Sequence, residues 1–200
     1  MNIAIFASGG GSNAAIIIKT LPQLLQETNT VATIALILTN NANAGVIGIA
    51  SQNNIPTVAI NLKNKKSDEV ECMYLQTLQA YNIDFIILAG YLKKIPAAIT
   101  KAFHQKIVNI HPALLPAYGG AGMYGIHVHN AVVLAGEKQS GITIHYVNEH
   151  YDEGAIILQA RCDVEACDTG ESLAKKVLVL EHAHYTKSIA QVIFSQNLVK

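Results

Sequence analysis

Asn109-Ile110-His111-Pro112-Ala113-Leu114-Leu115-Pro116 sets an amide and an imidazole two residues apart at the end of an apolar run, Ile107 to Ile110. If that run is a strand, alternation sends both side chains to the same side, and Pro112 stops regular structure directly behind them. Two side-chain donors converging on one point suit an oxyanion that develops on a carbonyl. A capped strand end with a hydrogen-bonded histidine would use the same residues, so the motif alone leaves both readings open.

A second candidate is Ser8-Gly9-Gly10-Gly11-Ser12-Asn13, which follows the apolar run Ile3 to Ala7 and precedes the helical run Ala14 to Lys19. A glycine-rich entry into a helix lets backbone N–H groups approach an anion, with the positive end of the helix dipole behind them. The loop lacks the Gly-Lys-Ser/Thr ending of a Walker loop and does not fit GxGxxG, and a plain tight turn is its alternative reading. A carboxylate able to orient and charge His111 is available in His150-Tyr151-Asp152-Glu153-Gly154. Asp152 also suits a turn, and on residue types alone Glu149 and Glu153 compete with it.

The elements that must position these groups follow a simple alternation. Aliphatic runs recur at Ile3 to Ala7, Val31 to Leu38, Thr57 to Ile60, Phe85 to Ala89 and Ile107 to Ile110. Short and rich in β-branched residues, they predict strands buried on both faces. Helical stretches lie between them, the clearest being Asp68 to Tyr81, where Val70, Tyr74, Leu78 and Tyr81 stand three or four apart. This is βαβ alternation, and it predicts a parallel sheet whose ligands gather at the carboxyl ends of strands. Gly141 to Val147 then alternates, and Ala155 to Leu158 follows a short polar loop, which predicts an added strand pair. A closing helix is expected from Gly170 through Phe194.

Two hundred residues without a linker, repeat or low-complexity tract predict one domain over residues 1–200. No apolar run approaches the roughly 20 residues needed to span a bilayer, so no membrane partner is expected. No basic region precedes the first apolar run, which predicts a cytoplasmic location. Fourteen Lys+Arg balance fourteen Asp+Glu and Arg161 is the only arginine, which disfavours a nucleic-acid partner. Cys72, Cys162 and Cys167 have no CxxC spacing, so neither a disulfide framework nor a zinc site is indicated, and the thiols are expected to be buried or incidental.

Taken together, Ser8 to Asn13, Ala89-Gly90-Tyr91-Leu92, Asn109 to Pro116, Gly141-Ile142-Thr143-Ile144-His145, Asp152-Glu153-Gly154 and Glu181-His182-Ala183-His184-Tyr185 resemble the phosphoribosylglycinamide formyltransferase family over nearly the whole chain. The resemblance implies a single-domain, Rossmann-like formyltransferase fold: a mostly parallel twisted sheet, helices on both faces, and the added strand pair in the C-terminal half. It implies transfer of the formyl group of 10-formyltetrahydrofolate, a co-substrate, to the amine of glycinamide ribonucleotide in de novo purine biosynthesis, without a metal. The family's catalytic trio falls on Asn109, His111 and Asp152, its substrate loop on Gly11, Ser12 and Asn13, and its glycinamide-contacting acid on Glu181. Its folate pocket falls on Leu92, Lys93, Lys94, Ile95, Asn109, His150, Tyr151 and Asp152, and a further active-site histidine on His127.

The chain departs from the family in four places. Lys93 stands where arginine is usual, and Lys65 or Lys66 replaces a phosphate-side arginine, which keeps charge and loses the bidentate fork. Gly119 to Gly125 is longer than in the shortest members and suggests a flap, and Thr186 replaces a common proline. A formyltetrahydrofolate hydrolase or methionyl-tRNA formyltransferase shares the Asn-x-His motif, though both are generally longer. A non-catalytic nucleotide-binding module would use Gly9 to Asn13 and leave Asn109, His111 and Asp152 without a purpose.

Overall fold

A computed structural model describes residues 1–197. Within them β1 (Asn2–Phe6), β2 (Thr33–Thr39), β3 (Thr57–Ala59), β4 (Phe85–Leu88) and β5 (Ile107–His111) form the parallel part of one sheet, and β6 (Gln139–Tyr146) and β7 (Ile156–Asp163) continue it antiparallel. The strand order is β3-β2-β1-β4-β5-β6-β7. Between the strands run α1 (Ser12–Glu27), α2 (Val46–Gln52), α3 (Ser67–Ala80), α4 (Ala97–Ala102) and α5 (Ile126–Leu134), and α6 (Gly170–Asn197) closes the described chain. The single mostly parallel α/β sheet is the architecture the sequence predicts.

The continuous apolar strands are explained by helices on both faces. Ile3 and Ile5 of β1 pack on one side with Ile17 and Leu21 of α1, Val132 of α5 and Leu173 and Val177 of α6. Ala4 and Phe6 pack on the other with Tyr74 and Leu78 of α3 and Ile99 of α4. The chain proceeds from β1 outward through β2 to β3, then returns to the other side of β1 with β4, creating a topological switch point between β1 and β4. Ser8 and Gly90 meet there: Ser8 N–H donates to the Gly90 carbonyl (3.0 Å), and Leu92 N–H donates to Ser8 Oγ (2.9 Å).

Register on β5 positions the motif that opened the sequence. Val108 and Ile110 face the α1–α6 side and Ile107 faces the α3–α4 side, so Asn109 and His111 share the second face with Ile107. Antiparallel pairing sets His145 opposite Asn109 and Thr143 opposite His111. Loop rather than helix roofs this part of the face. Thr143 Oγ1 donates to the Ala113 carbonyl (2.7 Å) and accepts from Leu115 N–H (3.0 Å), which pins the segment after Pro112 onto the sheet.

Several boundaries differ from the sequence reading. Val31, expected within the second strand, is 85% exposed and outside it, because β2 pairs with β1 only from Thr33. β7 runs on to Asp163, beyond the expected Leu158; it is an edge strand, only half covered, so Gln159 and Arg161 interrupt its apolar run without ending it. α1 reaches Glu27 with Pro22 inside it, and α5 was not predicted. Cys72 and Cys167 are exposed rather than buried, and all the cysteines are free. Among the described residues no helix is long and apolar enough to cross a membrane.

α6 is tied to the sheet where the site forms. The buried Tyr185 hydroxyl points its proton at the main-chain carbonyls of Leu88 (2.8 Å) and Val108 (3.1 Å), at the ends of β4 and β5. Glu181 lies about one turn earlier on the same helix and thus faces the carboxyl ends of the strands.

Candidate active site

The β6–β7 connection decides among the three carboxylates. A Cβ on Gly154 would lie 1.7 Å from the Tyr146 carbonyl oxygen, so only glycine allows the chain to turn back so tightly against β6. Two residues earlier Asp152 adopts a left-handed φ of 57°, a conformation aspartate tolerates better than most residues. Its carboxylate turns inward: Oδ2 lies 3.5 Å from His111 Nδ1 and accepts from Gly120 N–H (2.9 Å), and Oδ1 lies 3.6 Å from His145 Nε2. Glu149 instead pairs with His150 at the surface (3.8 Å).

His111 Nε2–H donates to the Tyr118 carbonyl (2.8 Å) while Nδ1 faces the Asp152 carboxylate at 3.5 Å. His145 differs: Nδ1–H donates to the Tyr146 carbonyl (2.8 Å), leaving Nε2 to accept from Asn109 Nδ2 (3.2 Å). Asn109 is thereby oriented, and its second N–H remains for the cavity that it lines. The sequence reading gave His111 a free N–H for an oxyanion; here its Nε2–H is engaged by Tyr118 and its other ring nitrogen faces Asp152.

Burial, reinforced by the charge of His111, holds the His145 pKa below the ordinary histidine value of 6.5, against the pull of the Tyr146 carbonyl and Asp152. Burial lowers His129 and His182 as well. A folded pKa below the unfolded one means that the unfolded chain binds more protons, so this stability is complete above the unfolded value and is lost as pH falls through the window beneath it. Glu181 acts in the opposite sense, since burial raises its carboxyl despite the hydrogen bond from Asn13. We expect the melting temperature to be level between about pH 8 and 7 and to fall below about pH 6.5, with a shallower fall in His145→Gln. A melting temperature that rises on acidification from about pH 7 to 5.5 would contradict this assignment.

A cavity of about 330 Å³ unites the site, within the ~300–1,000 Å³ usual for small-molecule pockets. Its wall includes Asn13 and Glu181, joined by a hydrogen bond from the Asn13 amide to the carboxylate across 168 residues of sequence. It also includes Leu92, Lys93, Lys94, Ile95, His150 and Tyr151, with Lys94 Nζ 5.5 Å from the centre of the Tyr151 ring. Asn109, His111 and Asp152 lie on the wall of the same cavity. Gly11 and Ser12 are not on that wall and adjoin it through Asn13. No side chain caps α1 and its first turn holds no acidic residue, so its leading N–H groups stay available to an anion.

His127 requires correction. It is exposed on α5, edge-on to Tyr124, and does not line the cavity. His129, two residues and over half a helical turn further on, is buried and does line it. The glycine-rich insert before α5 made the histidine spacing ambiguous in the sequence. The segment from Gly120 to Gly125 lines the cavity, and Gly120 ties it to Asp152.

With this geometry in place, a sequence profile of the family described as Formyl transferase matches residues 1–189. The chain belongs to the formyl transferase family. It is 42% identical over 192 residues to the chloroplastic phosphoribosylglycinamide formyltransferase of Arabidopsis thaliana, with 95% of this chain and 64% of that protein covered. It is 35% identical over 195 residues to the phosphoribosylglycinamide formyltransferase of Bacillus subtilis (strain 168), with 97% and 95% covered. The chain thus spans under two thirds of the plant relative and nearly all of the bacterial one. The crystal structure of phosphoribosylglycinamide formyltransferase from Bacillus halodurans superposes with a TM-score of 0.85 at 35% identity, covering 96% of this chain and 95% of that one.

Within this formyl transferase domain the sequence reading had no role for His145, although it quoted the residue in a motif. The signal was its place beside Thr143 on one face of the alternating run Gly141 to Val147. Ser8 was also unassigned; besides accepting from Leu92, its hydroxyl bonds to Asn40 at the end of β2, holding the loops of the switch point together. Among the described residues there is no group of three or more His, Cys, Asp or Glu side chains arranged to hold a metal ion.

Proposed function

We propose that the chain transfers the formyl group of 10-formyltetrahydrofolate to the amine of glycinamide ribonucleotide, a step of de novo purine biosynthesis, acting on free small molecules in the cytoplasm. One observation carries the reading: the Asn109–His111–Asp152 group lines a single cavity together with the Asn13–Glu181 pair and with Lys93, Lys94 and Tyr151. The phosphate of the acceptor would bind the first turn of α1, at Gly11, Ser12 and Asn13, with Glu181 beside its amine-bearing arm. The donor would lie across Leu92, Ile95 and Tyr151, its charged tail toward Lys93 and Lys94.

The acceptor nitrogen attacks the formyl carbon, and the resulting oxyanion receives the free Asn109 N–H and the field of the His111 imidazolium. Asp152 keeps that imidazolium charged. It is also a base through which, by way of water, the proton leaves the attacking nitrogen for the departing folate nitrogen. The decisive assay mixes the protein with both substrates and follows tetrahydrofolate formation. Release of formate at the same rate without the ribonucleotide would make the chain a hydrolase, and formyl transfer only to methionyl-tRNA would place it in the other branch.

The glycine loop supplies a prediction that separates folding from binding. Gly11 has φ 81°, and a Cβ there would lie 2.9 Å from Val46 Cβ, so Gly11→Ala should lower the melting temperature regardless of ligand. A Cβ on Gly10 meets nothing within 4 Å. Gly10→Val should therefore melt within about 2 °C of wild type, yet weaken ribonucleotide binding by about tenfold or more while sparing a folate analogue, because backbone approach to phosphate tolerates no added side chain. Calorimetry with each ligand reads this directly. Unchanged ribonucleotide affinity would take the phosphate away from this loop.

A further inference from the structure

His129 lines the same cavity and has no part in the chemistry above. Its side chain is 5% exposed and its Nδ1 is buried without a hydrogen-bond partner. An unpaired buried ring nitrogen carries a desolvation cost that an apolar side chain of similar size would avoid, and in native proteins such an atom calls for a partner that arrives later. The partner comes from the cavity side, since the residues around His129 on α5, Val128 and Val132, are buried and apolar.

Its place in the fold says which partner. α5 packs in the layer with α1 and α6, the helices that supply Asn13 and Glu181, whereas Ile95 packs with α3 and α4 on the opposite face of the sheet. His129 therefore stands on the side of the helices that supply Asn13 and Glu181. Burial and the neighbouring charge of His111 keep its ring neutral, with one lone pair to offer. We propose that His129 binds the acceptor amine, its ring accepting a hydrogen bond from an N–H of the attacking nitrogen and strengthening that bond as the nitrogen becomes positive. A cationic residue there would repel the same nitrogen.

The inference rests on the proposed function, and the experiment separates the two. Glycinamide ribonucleotide and a folate analogue are titrated calorimetrically into wild type, His129→Phe and His129→Gln, and the ring nitrogens of wild-type His129 are followed by ¹⁵N NMR during both titrations. The proposal expects His129→Phe to weaken ribonucleotide binding about tenfold and to lower kcat by a comparable factor, with folate affinity within about twofold of wild type and partial recovery in His129→Gln. It also expects the unprotonated ring nitrogen of His129 to shift with ribonucleotide and not with the folate analogue. Equal losses for both ligands, unchanged ribonucleotide affinity, or a nitrogen resonance indifferent to the ribonucleotide would overturn it, and the NMR result stands even if His129→Phe folds poorly. Wild-type protein that binds no ribonucleotide would overturn the proposed function itself, and this inference with it.

Discussion

Asp152→Asn is expected to lower turnover by roughly two to four powers of ten, the range for losing an oxyanion stabiliser or an acid–base group. The carboxylate faces His111 Nδ1 at 3.5 Å and His145 Nε2 at 3.6 Å, and accepts from Gly120 N–H at 2.9 Å. Asparagine preserves its outline and can still accept from Gly120, so the fold should survive. What disappears is the negative charge 3.5 Å from His111 Nδ1, the kind of neighbour that favours an imidazolium over a neutral ring. Ribonucleotide affinity should barely change, because the proposed phosphate site lies at the start of α1. His111→Ala should be similarly inactive, and the double variant should cost much less than the sum, since groups acting as a unit are not additive. Steady-state rates for the four proteins, with calorimetric ribonucleotide binding, decide the matter; strictly additive losses, or near-normal turnover in Asp152→Asn, would remove Asp152 from the mechanism.

Asn109→Leu should lower kcat by roughly two to three powers of ten with little change in either KM, because it deletes the free N–H at the developing oxyanion while keeping the side-chain volume. His145 orients the Asn109 amide (3.2 Å) and lies 3.6 Å from Asp152 Oδ1. His145→Phe should therefore lower kcat in the same direction by a smaller factor, and adding it to Asn109→Leu should cost little more. Loss of the full factor in His145→Phe alone would mean that His145 itself meets the substrate. A raised KM with unchanged kcat in Asn109→Leu would mean that Asn109 binds the ground state rather than the oxyanion.

The parts of the site that were legible in the sequence are those governed by local periodicity. Asn109 and His111 were expected on one side of a strand because alternation depends only on the strand itself, and they share that face. The glycine loop was expected between a strand and a helix for the same reason, and Gly11 is the residue preceding α1. Tyr74 and Leu78 were predicted to face the core from a helical spacing and are buried. His127 failed where locality failed. Its distance from the sheet depended on the path of Gly119 to Gly125, and three glycines there, Gly120, Gly122 and Gly125, adopt positive φ values that no periodicity announces.

By itself, then, the sequence determined the class of fold, the order of strands and helices along the chain, and the residue types brought to the strand ends, since each follows from the preferences of short segments. The family resemblance added candidate roles. Tertiary structure alone decided that Asp152, rather than Glu149 or Glu153, faces His111, that His145 orients Asn109, that Asn13 meets Glu181 across 168 residues, and that His129 rather than His127 borders the cavity. Those pairings depend on strand register, on the tight turn that Gly154 permits, and on how α5 and α6 dock against the sheet, and each is fixed by the packing of the whole core rather than by any segment that contributes to it.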